Sequence, residues 1–297
     1  MRFTIDAEFL LRADGEGRDK MRERLIAKHG ALRESTVARS ILSRPIDAYF
    51  IGEGQRYIFI LAAHHALETI TTNIAFLLAD MLMDRSNGKS INGIDCKLLL
   101  SKYCFLILPC VNPDGVEMRF FGASDSVLRD RQLRMSGGDF SDWQANARGV
   151  DLNHNYDAGF VVYKQLEKEM EISPGPRLYS GEYPESEPET RGVANLVRTL
   201  MPSMVVSLHT QGEEIYYQPK DRKMVRRADR LASLTGYSVT EPEGTAAYGG
   251  LSDYTGSIGI PSFTLELGKG TNPLPEEAIP SIFGRVGEAL AILPTIL

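Results

Sequence analysis

Four apolar runs of strand length, each followed by a segment with helical spacing, constrain this chain more than any other feature. They are RYIFILAA (Arg56 to Ala63), KYCFLILPCVN (Lys102 to Asn112), SMVVSLHTQG (Ser203 to Gly212) and PSFTLELG (Pro261 to Gly268). Among the intervening and closing segments, NIAFLLADMLMD, ETRGVANLVRTL, RKMVRRADRLASLTG and EEAIPSIFGRVGEALAIL carry apolar residues at helical intervals. Strands this apolar have no wet face, so their alternation with helices predicts an α/β sheet buried on both sides. Two stretches interrupt the rhythm: Phe120 to Arg148, polar and glycine-bearing, and Ser173 to Thr190, rich in proline and glutamate. Neither has linker-like composition, and both are expected to be disordered or to form the rim of a site.

Charge narrows the partners. A net charge of -6, with no block of five or six like charges, argues against nucleic acid and against a basic membrane arm. No apolar run reaches eighteen residues, so no ordinary membrane span is expected. The N-terminal apolar patch is broken by Asp6 and Glu8 and does not read as a secretory signal. Three cysteines, Cys96, Cys104 and Cys110, lack CxxC spacing and read as core thiols of a reducing compartment, which makes the cytoplasm the expected location.

In open α/β sheets ligands bind beyond the carboxyl ends of the strands, so the polar residues at those ends are the candidates for chemistry. The first run ends in His64 and His65, with Glu68 three residues further on; the third ends in His209; the fourth carries Glu266 between Leu265 and Leu267. Two histidines and a carboxylate suit a catalytic zinc ion, which takes three protein ligands and keeps a fourth position free. His64 competes with His65 for that role, but the three-residue spacing to Glu68 favours His65, giving His65, Glu68 and His209. A glutamate between leucines at a strand end needs compensation for its charge, and a neighbouring zinc-bound water would supply it while giving Glu266 a proton to take.

These pieces, with SILSRPIDAYFIGEG, NPDG (Asn112 to Gly115) and GVDLNHNYD (Gly149 to Asp157), follow an order that resembles the zinc carboxypeptidase (carboxypeptidase A-like) family. The resemblance implies a single-domain α/β/α sandwich with a mixed, mostly parallel twisted sheet. It also implies one zinc ion per chain. The resemblance runs from about Ser40 to the C-terminus; the catalytic domain is expected over residues 25–297, and a short helical extension packing on it is the default for residues 1–24. WQANARGVDLN and SEPET look most like the bacterial branch that cleaves γ-D-glutamyl-diamino acid bonds in cell-wall peptides. That implies a small peptide substrate, a muropeptide. Carried over by position, Glu266 is the general acid/base, and Asn153 hydrogen-bonds the terminal carboxylate of the substrate. Tyr248 is the mobile tyrosine over the substrate.

The chain departs from the family pattern twice. His154 stands where most members have an arginine that grips a C-terminal carboxylate, and an imidazole cannot form that fork. Gln144 stands where an oxyanion-stabilising arginine is expected; Arg148 is the nearest replacement, followed by Arg129, Arg131 and Arg134. Arg119, Arg148 and Lys269 are the expected sources of positive charge at the pocket.

Overall fold

A computed structural model describing residues 3–297 places the four apolar runs at the centre of one sheet. In chain order the elements begin α1 (Gly15–His29), β1 (Arg33–Arg39), β2 (Pro45–Ile51), β3 (Arg56–Leu61), α2 (Ile70–Arg85), β4 (Ser90–Ile91), β5 (Ile94–Asp95) and α3 (Cys96–Lys102). They continue with β6 (Tyr103–Leu108), α4 (Pro113–Phe121), α5 (Arg129–Ser136), α6 (Phe160–Glu169), α7 (Pro188–Leu200), β7 (Met204–His209) and β8 (Glu214–Gln218). The chain closes with α8 (Arg222–Thr235), β9 (Ser238–Val239), α9 (Leu251–Ser257), β10 (Ser262–Glu266) and α10 (Ile279–Ala291).

The main sheet runs β1-β2-β6-β3-β7-β10-β8-β9. Its centre is parallel: β3 pairs in that sense with β6 and β7, and β7 with β10. The flanking pairs β1/β2, β2/β6 and β10/β8 are antiparallel. The expected mixed, mostly parallel α/β sheet is therefore present. The flanking strands escape a search for apolar runs because each is partly wet; β1 is mostly exposed and β8 has only Ile215 buried.

Successive side chains on a strand point to opposite faces, and this sorts the core. Ile58, Ile60, Phe105, Ile107, Val206, Leu208, Phe263 and Leu265 join α1, α2, α8 and α10 on one side. Phe59, Leu61, Leu106, Leu108 and Val205 meet α7 and α9 on the other. By the same alternation Ser207 and His209 on β7, and Thr264 and Glu266 on β10, fall on the α7/α9 side. The sheet thus gathers its last polar residues on one face.

Phe9, Met21 and Leu25 are fully buried in the core that includes α2 and α10. A boundary between residues 24 and 25 would cut α1 in two. The two irregular stretches are built in as well. Phe120 to Arg148 covers a satellite cluster around the fully buried Trp143. Within Ser173 to Thr190, Leu178 N–H donates to Asp151 and the Tyr179 carbonyl accepts from Asp151 N–H, so this stretch clamps the GVDLNHNYD loop. NPDG has a structural part: the Asn112 side chain caps α4 through Gly115 N–H and donates to the His64 carbonyl.

Glu189, in the first turn of α7, is fully buried beside other acids. Burial, then the charges of Asp114 and Glu187, push its carboxyl up to about 8. Its ordinary value lies near 4.5, so between those limits the folded state holds a proton that the unfolded chain releases, and stability falls as pH rises through that window. Glu189→Gln removes this penalty, each tenfold difference in proton affinity between folded and unfolded chain being worth about 1.4 kcal/mol. Urea unfolding at pH 5 and pH 8 is expected to show the variant gaining a few kcal/mol over wild type at pH 8 and little at pH 5. An unchanged difference between the two pH values would mean that Glu189 is charged in the fold.

Candidate metal centre and cavity

His65 and Glu68 sit in the short connection between β3 and α2, and His209 is the last residue of β7. Parallel pairing of β3 with β7 brings the two connections side by side. His65 Nδ1 and His209 Nδ1 each lie 3.0 Å from a different oxygen of Glu68, and 3.3 Å from one another. Three donor atoms, all within 4.8 Å of each other, therefore face one point.

The remaining ring nitrogens are occupied. His65 Nε2 is 3.1 Å from Asp151 Oδ1, and His209 Nε2 is 3.0 Å from Ser207 Oγ. With acceptors holding the Nε2 protons, both Nδ1 lone pairs are free for a cation, the arrangement that metal-binding histidines need. His64, the rival from the sequence, is fully buried and turns elsewhere, its Nε2 2.9 Å from the Tyr156 hydroxyl.

Electrostatics agree with the donor set. Burial opposes charge throughout, yet the carboxylates of Glu68 and Asp151 raise the His65 ring well above the ordinary imidazole value. Against the same burial, His65 and His209 hold Glu68 down to about 2. Without an ion, protonated imidazole supplies the positive charge that these carboxylates require; a divalent cation meets the same demand, and the residues fit one.

Glu266 pairs with His209 in the parallel register of β10 and β7, on the same face. Burial and the nearby Glu68 charge raise its carboxyl well above the usual range, partly opposed by His65. It opens on a cavity of about 110 Å³ whose lining includes His65, His209, Asn153, His154, Tyr216, Gln218, Lys220, Asp253 and Thr264. The pleat explains the wall. In the antiparallel register with β8, Thr264 faces Tyr216 and Ser262 faces Gln218, so alternate residues of both strands point into one space.

The loop carrying Asn153 and His154 closes the other side. Asn153 Oδ1 accepts from Leu251 N–H. His154 stacks on Tyr163 at 4.2 Å, and its Nδ1 is 2.9 Å from the Tyr248 carbonyl. Gly249 lies so close to His154 that an added Cβ would sit 2.9 Å from the His154 carbonyl oxygen, and its φ of +79° is one that side chains rarely adopt.

Other expected residues lie outside this cavity. Arg148 pairs with Glu187 at 3.6 Å and lines a different cavity. Gln144 does not line the metal-side cavity; its backbone carbonyl accepts from Ala66 N–H. Nor does Tyr248, whose ring packs against Gly159. Arg119 lies over the Phe120 ring and Lys269 pairs with Glu213, so the cation on the cavity lining is Lys220 instead. Sequence reasoning did not single out Asp151, although it stands inside a quoted motif two residues before Asn153. It also missed Tyr216, Gln218, Lys220 and Asp253, on or beside elements that carry no apolar run.

The comparisons agree with this geometry. A gamma-D-glutamyl-L-diamino acid endopeptidase 1 of Lysinibacillus sphaericus is 34% identical over 273 residues, covering 88% of this chain and 66% of that protein. The chain thus spans slightly less than two thirds of that relative's length. Murein peptide amidase A of Escherichia coli (strain K12) is 31% identical over 110 residues, 35% of this chain and 34% of its own. The crystal structure of thrombin activatable fibrinolysis inhibitor superposes with a TM-score of 0.76 at 20% identity, covering 98% of this chain and 75% of that one. The profile of the zinc carboxypeptidases matches residues 20–284, from within α1 to within α10, and the chain belongs to that family.

Proposed function

We propose that this protein is a zinc-dependent peptidase that hydrolyses the amide bond between the γ-carboxyl of D-glutamate and a diamino acid in cell-wall peptides. The observation that carries the reaction class is the pairing of Glu266 with His209 at the rim of the trio. The substrate class follows the Lysinibacillus relative, whose name specifies that bond.

In this reading His65, Glu68 and His209 hold one zinc ion, which supplies Lewis acidity to an amide carbonyl and to water at neutral pH. Glu266 takes the proton of the attacking water on its carboxylate and delivers it to the departing amine. Burial first, and then the Glu68 charge, favour the protonated form of Glu266; a cation held by the trio would oppose the second of these. Asp151 fixes the orientation of His65. Asn153 and His154, on the cavity lining, position the substrate; Tyr248 touches this wall only through its carbonyl, which accepts from His154. Three free, buried cysteines support a cytoplasmic setting.

The test is mass spectrometry of L-Ala-γ-D-Glu-meso-diaminopimelate after incubation with zinc-loaded and with chelated protein. Free diaminopimelate released by the zinc-loaded form alone is the expected result. Release of D-alanine or other C-terminal residues from longer peptides, with this bond intact, would make it an ordinary carboxypeptidase.

A further inference from the structure

Around Asp253, the wall of the cavity away from the trio presents hydrogen-bond acceptors with lone pairs to spare. Asp253 Oδ1 accepts from Gln218 Nε2 at 3.1 Å and Oδ2 from Gly250 N–H at 3.2 Å, which leaves lone pairs on both oxygens of a carboxylate that can take about four donors. With its amide nitrogen turned to Asp253, Gln218 has its oxygen left to accept. The Tyr248 carbonyl can only accept, so His154 donates to it from Nδ1. Burial keeps that ring neutral, and its second nitrogen offers a lone pair. Lys220 is already matched: its Nζ lies 2.5 Å from Glu241 and over the Tyr217 ring. Where related enzymes are expected to present an arginine to an anion, this cavity presents a carboxylate, an amide oxygen and an imidazole nitrogen.

The geometry points to an ammonium-binding subsite, in which Asp253, flanked by Gln218 and His154, takes the second amino group of the diamino acid whose first amine is released by cleavage. This rests on the function proposed above. A carboxylate held in place by two donors before the ligand arrives has little side-chain freedom left to lose on binding. A terminal methyl group at the same place would leave Asp253 desolvated and unpaired, so discrimination is built into the wall.

Asp253 also caps α9 through Gly250, so the test must separate recognition from folding. Asp253→Asn keeps an acceptor for Gly250 and removes the charge. Two substrates are compared, γ-D-glutamyl-L-lysine and γ-D-glutamyl-L-norleucine, with zinc content checked. Wild type is expected to prefer lysine by about 10- to 100-fold in kcat/KM, the range for a hydrogen bond to a charged group. The variant is expected to bring that ratio near one, chiefly through a rise in KM for the lysine substrate. A variant that loses both substrates in proportion, or a wild type without preference, overturns the assignment. Calorimetric titration of free L-lysine and L-norleucine into zinc-loaded protein reads the subsite without turnover. If wild type cleaves neither dipeptide, the hydrolytic reading fails by itself. Lysine binding that Asp253→Asn abolishes still supports the subsite, and equal or absent binding of both amino acids overturns it.

Discussion

Glu266→Gln is expected to lower turnover by about 10²–10⁴-fold while the protein keeps its zinc. The substitution preserves shape and removes the basic oxygen. Nothing else on this face of β10 can replace it: Thr264 and Ser262, the next residues inward, carry hydroxyl groups that are far weaker bases and engage Ser252. The carboxylate of Glu214, its cross-strand neighbour, accepts from the Tyr216 hydroxyl. Metal analysis beside steady-state rates distinguishes the cases. A rate within tenfold of wild type would remove Glu266 from proton transfer, and loss of zinc with loss of rate would make its role structural.

The second large effect is expected from His209→Ala. Zinc affinity should fall by more than the 10- to 100-fold typical of losing an outer hydrogen-bond partner, since a direct donor is removed. Stability reads this independently of activity. A ligand at a thousand times its dissociation constant stabilises the native state by about 4.1 kcal/mol, so wild type should melt at a higher temperature with zinc than with chelator. For His209→Ala the two melting curves should coincide. A variant still stabilised by zinc to the wild-type extent would show that the ion sits elsewhere. His64→Ala is the contrasting case: its ring faces Tyr156, and the zinc response is expected to persist.

What could be foreseen from the sequence follows from the range of the physics involved. Strand ends are marked locally, by where an apolar run meets its first charged or imidazole side chain, and parallel sheets put such ends at one edge; His65, Glu68, His209 and Glu266 were legible for that reason. Choosing His65 over His64 needed only the three-residue spacing to Glu68. Arg148 shows where local marking ends. It directly precedes a loop that does reach the cavity, yet whether an arginine in irregular chain turns inward depends on which carboxylate meets it first, and Glu187 comes to it from the distant packed clamp. Asp253 and Gln218 were illegible for a related reason. Only the antiparallel pairing of β8 with β10, and the packing of α9 over both, makes them neighbours, and partly wet strands leave no apolar run to announce that pairing.

The division of the cavity between two sets of elements has a consequence for selectivity. The donor atoms that face an ion come from the ends of β3 and β7, while the wall that meets the rest of a substrate comes from β8 and α9. Under the proposed function, substitutions at Tyr216, Gln218 or Asp253 would change the wall that meets the leaving group and leave every ion-facing atom in place. Such a scaffold keeps the part that faces an ion separate from the part that selects what lies beside it.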